Sequence, residues 1–182
     1  MRAIQIFDRI DDHTYRKIVP QLLEFEKQDP LQPIILLVHS LGGALDVGFA
    51  IVDIMDFLKC PIHTYAKGQT DALATLILAR GTKGCRNAFR EAEFSLGRFQ
   101  FVLSKNPRSR VCSRELVRAE ESYVRLLAEA TRQHPARIQK DMQTEITMDA
   151  TGAKSYGLID TVLSSEQIVQ FENDLGDICK GQ

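Results

Sequence analysis

The side chains able to act on a substrate gather in three short stretches: His39-Ser40 before Gly42-Gly43, Lys67-Gly-Gln-Thr-Asp71 before Ala72, and Ser95-Leu-Gly97. Hydrolysis through a nucleophile requires an oxygen or sulfur atom, a base that takes its proton, and a group that orients the base. His39 and Ser40 supply the types, but neighbours on a strand point to opposite faces, so they do not pair as base and nucleophile. Lys67 is a conceivable base for Ser95 or Thr70, with no motif behind it. Thr75 and Asp71 complete the local set. Metal chemistry has less support. Cys60, Cys85, Cys112 and Cys179 are far apart, and His13, His39, His63 and His134 bracket none of them at zinc-site spacing. We expect no metal and no cofactor, with the thiols reduced and mostly buried.

The elements that position these residues alternate in type. Ala3–Phe7 reads as a strand, and Asp11 or Asp12 caps a helix whose apolar stripe is Ile18, Leu22, Leu23 and Phe25. Pro20 requires that helix to begin near Tyr15–Ile18 or to kink. Ile34–Val38 is a continuous apolar run, the pattern of a strand covered on both faces. A helix from about Leu45 to Leu58 follows, then a strand at Ile62–Ala66, with Gly68 leading into an apolar helix over Ala72–Ala79. Gly81–Gly84 is a turn. Cys85–Asn87, Glu93–Leu96 and Phe99–Leu103 read as extended, and Ser113 to about Gln133 as a long amphipathic helix. Pro135 opens a short helix, Thr151–Tyr156 is another, Leu158–Leu163 is a strand, and Ser165–Leu175 is a helix capped by Ser164 or Ser165. Such alternation predicts one α/β domain over residues 1–182 with largely parallel strands.

Bulk properties narrow the function classes. A chain of 182 residues buries about 70% of its unfolded surface as one domain. A net charge of -1 gives no electrostatic case for nucleic acid or an anionic membrane. No apolar run approaches the roughly 20 residues of a membrane span, and Asp8 arrives too early for a signal-peptide core. The expected location is the cytoplasm, or an organelle stroma if this is the mature form of a plastid-type protein.

Four stretches taken together resemble the proteolytic subunit of the Clp protease (ClpP) family. Pro33 to Met55 is similar to the family's buried strand, its Ser-Pro-Gly-Gly turn and the following helix. Gly68-Gln-Thr-Asp-Ala-Leu-Ala74 with Arg80–Arg86 resembles its nucleophile turn Gly-Gln-Ala-Ala-Ser-Met-Gly and the basic turn beyond. Ser113–Asp141 resembles the handle helix through which two rings meet. Met148-Asp-Ala-Thr-Gly-Ala-Lys-Ser-Tyr-Gly-Leu-Ile-Asp160 is close to the family's Met-Ser-Ala-Glu-Glu-Ala-x-x-Tyr-Gly-Leu-Ile-Asp. The resemblance covers most of Ile4–Leu163. It implies a ClpP/crotonase-like α/β fold, mostly parallel sheets with flanking helices and a protruding handle helix.

The resemblance also places the chemistry. The family's serine position falls on Ala72, its histidine position on Gly97, and its aspartate position on Glu145. Ala72 and Gly97 offer neither nucleophile nor base, so no catalytic residue is expected, and Asp71 lies one residue away from the nucleophile position. Glu145 is either the remnant of the orienting acid or a surface carboxylate. The family's oxyanion hole would map to the backbone of Gly43, shaped by Gly42, and of Leu73. Backbone donors survive loss of the serine, although glycines serve a tight turn equally well. After Gly97, the stretch Arg98–Arg110 lacks the family's glycine-rich substrate-pairing segment, and Pro107 removes a donor.

By resemblance the chain is a non-catalytic subunit of a ring, heptameric or double, made of copies of itself or mixed with active subunits. Arg108, Arg110, Arg114, Glu115, Arg118, Glu120, Glu121 and Arg125 set alternating charges near the handle, for a subunit contact or for a solvated face. The family's N-terminal axial segment has no counterpart in the chain given, so docking to an AAA+ unfoldase is not carried over. Two other readings stay open: an active ATP-dependent serine peptidase with a rearranged centre, and a crotonase-like acyl-CoA enzyme. Great length is usual in the latter, and no CoA phosphate site is evident here.

Overall fold

The computed structural model describes residues 2–97 and 113–179, with side chains at 116–173 of the second segment. The chain-order elements are β1 (Ala3–Ile6), α1 (Asp12–Gln28), β2 (Ile34–Ser40), α2 (Leu45–Phe57), β3 (Ile62–Asp71), α3 (Ala72–Ala79), β4 (Arg86–Ala88), β5 (Glu93–Leu96), α4 (Ser113–Thr131), α5 (Pro135–Gln143), β6 (Ile146–Asp149), α6 (Ala150–Tyr156), β7 (Thr161–Val162) and α7 (Ser165–Cys179). Phe99–Leu103, Cys112, Arg108 and Arg110 lie outside the described residues, as do the side chains of Arg114, Glu115 and Cys179.

One sheet organises these elements. Its path is β1-β2-β3-β4-β7, every pair parallel. β3 is long enough to serve two partners on one side: Thr64–Ala66 pair with β4, and Gln69–Asp71 pair with β5. β6 runs antiparallel to β5. The sheet is therefore mostly parallel and flanked by helices, in agreement with the fold expected from the sequence.

Four local readings need correction. Strand β3 does not stop at Ala66. Between Val38↔Ala66 and Ser40↔Thr70, β2 advances two residues while β3 advances four. Gly68, at φ 77, absorbs the surplus as a bulge, so the glycine bends the strand without ending it. Helix α1 begins at Asp12 and runs through Pro20. Asp11 caps it by accepting from the N–H groups of His13 and Thr14 at 3.0 and 3.1 Å. Pro20 lies on the exposed face, where water can satisfy the carbonyl that its missing N–H leaves behind. Within Leu158–Leu163 only Thr161–Val162 is strand, because Asp160 is drawn into a bond with Arg86 instead. Finally, Ile146–Asp149 forms β6, a strand that the sequence pattern does not predict.

Apolar burial is uneven across the sheet. The main core contains Ile4, Ile34, Leu36, Val38, Ile62 and Ala66 from the strands, and Ile51, Leu73, Leu76, Ile77, Tyr123 and Leu127 from the helices. On the opposite face Ile35, Leu37, Phe89, Leu163 and Phe171 form a separate, smaller cluster. Tyr123, Val124, Leu126, Leu127 and Ala130 bury one face of the second half of α4, whereas Val117 near its start is 51% exposed. No helix among the described residues is long and apolar enough to cross a membrane.

An ion pair with a buried guanidinium and a partly exposed carboxylate joins the far ends of several elements. Arg86 donates through Nε and Nη2 to the carboxylate of Asp160 at 2.9 and 2.6 Å. Its Nη1 reaches the carbonyls of Ala79, Ala130 and Gly157 at 3.3, 3.2 and 2.9 Å. The end of α3, the end of α4 and the cap of α6 therefore converge on one guanidinium. This gives the Tyr156-Gly-Leu-Ile-Asp160 stretch a structural reason. Gly157 ends α6 at φ 94, and a Cβ there would lie 2.7 Å from the Thr131 carbonyl oxygen.

Candidate active site

The Gly42-Gly43 turn is held from both sides. Ser40, buried at the end of β2, donates its hydroxyl to the Asp8 carbonyl at 2.7 Å and accepts from Gly42 N–H at 3.2 Å. Gly42 returns a carbonyl to Ile10 N–H at 3.0 Å, and Ala44 N–H bonds the Ile10 carbonyl at 2.7 Å. Gly42 needs φ 86. Gly43 needs its missing side chain, since a Cβ would overlap the Ile10 carbonyl oxygen and sit 2.7 Å from the Ile10 N. Both glycines thus have sufficient backbone reasons to be glycine. A Cβ on Gly42 would stand 3.5 Å from the Asp71 oxygen and 3.8 Å from the Leu73 nitrogen, so the turn lies against the start of α3.

That start is a sharp strand-to-helix corner. β3 ends at Asp71, α3 begins at Ala72, and Ala72 takes φ 41. Left-handed backbone costs an L-residue about 1–2 kcal/mol, so surrounding contacts must hold it. Tyr123, buried on α4, donates its hydroxyl to the Ala72 carbonyl at 2.9 Å. Thr75 ties the first turn of α3 to the Thr70 carbonyl at 2.8 Å, and Ser95 donates to the Asp71 carboxylate at 2.9 Å. Leu73 is buried and fills the space where Gly48 of α2 has no Cβ. Its N–H belongs to the first four of the helix, which have no intrahelical acceptor.

Tyr123→Phe is expected to lower stability by about 0.5–1.5 kcal/mol, the usual net worth of one intramolecular hydrogen bond. Urea denaturation of the two proteins checks it. Burial pushes the Tyr123 phenol well above its ordinary range, so the bond persists at any neutral or mildly alkaline pH.

The remaining predicted positions meet at the same end of the sheet. Asp71 pairs with Ser95, Ser95 with Thr147, and Leu96 with Ile146. The next residues along those two antiparallel strands are Gly97 and Glu145. Ala72, Gly97 and Glu145 therefore follow or precede neighbouring positions on β3, β5 and β6. Glu145 is exposed, takes φ 51, and donates its N–H to the Met142 carbonyl at 3.3 Å. Among the described residues nothing lies within 4 Å of where a Gly97 side chain would begin. What stands at this corner is a methyl group, a bare backbone and a solvated carboxylate.

The substitute candidates are engaged elsewhere. His39 is exposed and meets the Phe7 ring edge-on at 6.2 Å, whereas Ser40 is buried, as strand alternation requires. Thr70 and Thr75 are buried. Lys67 pairs with Glu172 at 3.3 Å rather than with Ser95 or Thr70. Ser95 faces a carboxylate, and Gln69 bonds the other Asp71 oxygen at 3.3 Å. Among the described residues no serine or threonine hydroxyl bonds an imidazole or an amine, and no group of three or more His, Cys, Asp or Glu side chains could hold a metal. A cleft of about 400 Å³ lies between α4 and α5, lined by Val117, Glu120, Val124, Gln139 and Met142.

A strand, a glycine turn, a left-handed corner and an apolar helix, set in a mostly parallel sheet, define a ClpP/crotonase-like α/β protein. The family model described as Clp protease matches residues 1–166. The chain belongs to the Clp protease family. Two residues of structural consequence escape a reading of the sequence. Tyr123 sits in an apolar helical stripe and reads as core, since nothing in its spacing announces where its hydroxyl goes. Arg86 reads as part of a basic turn.

Proposed function

We propose that this chain is a catalytically inactive Clp-type subunit, a single domain that serves a ring assembly as a structural or regulatory component. The observation that carries the reading is Ala72. The backbone corner that would present a nucleophile is kept, at an energetic cost, and the side chain on it is a methyl. Gly97 and Glu145 support it, because Gly97 has no side chain where the family has its histidine, and Glu145 then has no imidazole to orient. Without nucleophile and base, covalent catalysis is lost, and only binding and oxyanion stabilisation are left. Gly43 and Leu73 are the backbone donors such a remnant pocket would use.

The ring role rests on the family, whose members form oligomeric rings, and on the exposed Val117, Arg118 and Glu121 of α4 as a contact surface. Native mass spectrometry, on the chain alone and mixed with an active Clp protease subunit, tests it alongside fluorogenic peptide hydrolysis. We expect a ring in at least one of the two conditions and no hydrolysis from the chain alone. A strict monomer in both, or turnover by the chain alone, would refute the proposal.

A further inference from the structure

We infer that Cys85 and His63 form a two-donor site for a soft monovalent metal ion, Cu(I), on the face of the sheet opposite the main core. The two residues belong to different strands, so no spacing in the sequence brings them together. Strand β3 pairs with β4 in parallel from Thr64↔Arg86 to Ala66↔Ala88. One step earlier, Thr64 N–H bonds the Cys85 carbonyl at 3.1 Å, which sets Cys85 beside His63. Alternation decides which way the side chains point. Thr64, Arg86 and Ala88 are buried on the core side, whereas His63, Tyr65, Cys85 and Asn87 are half-buried on the other. Burial, and after it the charge of the Cys85 thiolate, raise the Tyr65 phenol above its ordinary value, so the sulfur lies on the face that Tyr65 and His63 share.

The donors suit the ion. Thiolate and imidazole both favour Cu(I), and two donors in line complete its coordination. A structural zinc ion needs four, and no group of three or more His, Cys, Asp or Glu side chains could hold a metal among the described residues. With metal–sulfur and metal–nitrogen bonds of about 2.3 and 2.0 Å, a straight sulfur–metal–nitrogen unit spans about 4.3 Å, against about 4.8 Å between neighbouring strands. Neither side chain has a hydrogen-bond partner among the described residues. Burial pushes the His63 imidazole below its ordinary value, so at pH 7 it is neutral and binds without losing a proton. The backbone is fixed, since Cys85 N–H bonds the Thr82 carbonyl at 2.9 Å and the Asn87 carboxamide bonds the Cys85 carbonyl at 3.0 Å. Binding forms one sulfur–copper and one nitrogen–copper bond, releases the thiol proton to solvent, and changes no oxidation state. Cys60 is unsuited: it is buried, and its sulfur is held between Arg2 Nη2 and the Asp29 carbonyl, each at 3.4 Å.

Anaerobic titration with Cu(I) against a chromophoric Cu(I) chelator tests the site. The parent is the full-length chain carrying Cys112→Ser and Cys179→Ser, which leaves the two described thiols. It should hold one Cu(I) per chain, and adding Cys60→Ala should not change the affinity. Cys85→Ser and His63→Gln should each lose at least about 100-fold, the upper end of what losing a mere hydrogen-bond partner of a ligand costs. His63→Cys should restore the affinity, because two thiolates also serve Cu(I), and a loss through misfolding would not recover in this way. Cu(I) should raise the melting temperature of the parent and of His63→Cys, and leave Cys85→Ser unmoved. No binding by the parent, equal affinity across the series (an adventitious ion only), full affinity in His63→Gln, or no recovery in His63→Cys would each overturn the inference.

Discussion

Replacing Arg86 with methionine is expected to cost about 3 kcal/mol, the lower end of the usual penalty for removing one partner of a buried ion pair, because the Asp160 carboxylate left behind keeps some access to water. Asp160 would lose its Nε and Nη2 donors, and the carbonyls of Ala79, Ala130 and Gly157 would lose Nη1. Lysine should not rescue the site, because one ammonium cannot spread over a bidentate carboxylate and three carbonyls on different elements. The pair also gives stability a definite pH dependence. Burial alone would raise the Asp160 pKa, but the side-chain and backbone hydrogen bonds from Arg86, its charge and the Gly84 N–H outweigh burial and hold it below the ordinary carboxylate value. A depressed folded pKa contributes stability that is complete above the unfolded value of about 3.9 and is lost as pH falls through the folded one. Asp160→Asn should therefore be clearly weaker than the unaltered protein at pH 7 and approach it in acid. Urea melts at pH 7 and pH 3 check both effects; equal stability of Arg86→Met and the unaltered chain at pH 7 would contradict them.

Gly43→Ala is the second large effect, at about 3 kcal/mol, the upper end of ordinary overpacking costs. The added methyl would overlap the Ile10 carbonyl oxygen, and backbone of the β1–α1 connection cannot move aside as a flexible side chain would. The Ile10–Gly43 bridge and the two hydrogen bonds around it would have to open. Gly84→Ala provides the control: unlike Gly43 it holds a left-handed φ, of 88, and among the described residues nothing lies within 4 Å of its Cβ position. Its cost should stay near the conformational term of about 1 kcal/mol. If the two variants melt alike, the tight packing of the turn on Ile10 is not real.

What the sequence made legible follows from pattern length. β2 is an unbroken apolar run and α3 an unbroken apolar helix, so each announces burial on all sides. Gly68–Ala74, the stretch that resembles the family's nucleophile turn, contains Ala72, which stands at the strand-to-helix corner with a left-handed φ. β6 was invisible because Ile146–Asp149 is four residues long, half exposed, and paired with a strand fifty residues earlier. The second half of β3 was hidden by Lys67-Gly68-Gln69, which reads as a turn unless the surplus of two residues against β2 is known. Tyr123 and Arg86 act through single hydroxyl and guanidinium contacts between distant elements, and no local periodicity encodes such contacts.

The central claim concerns the corner at Ala72, and a fluorophosphonate probe reads it directly. The reagent forms a covalent adduct with an activated serine and spares an inert hydroxyl, so intact-mass analysis after incubation separates the two. The chain should keep its unmodified mass while an active Clp protease subunit, treated in parallel, is fully labelled. An adduct on one residue of this chain, abolished by substituting that residue, would contradict the account and establish a working nucleophile that Ala72 does not provide.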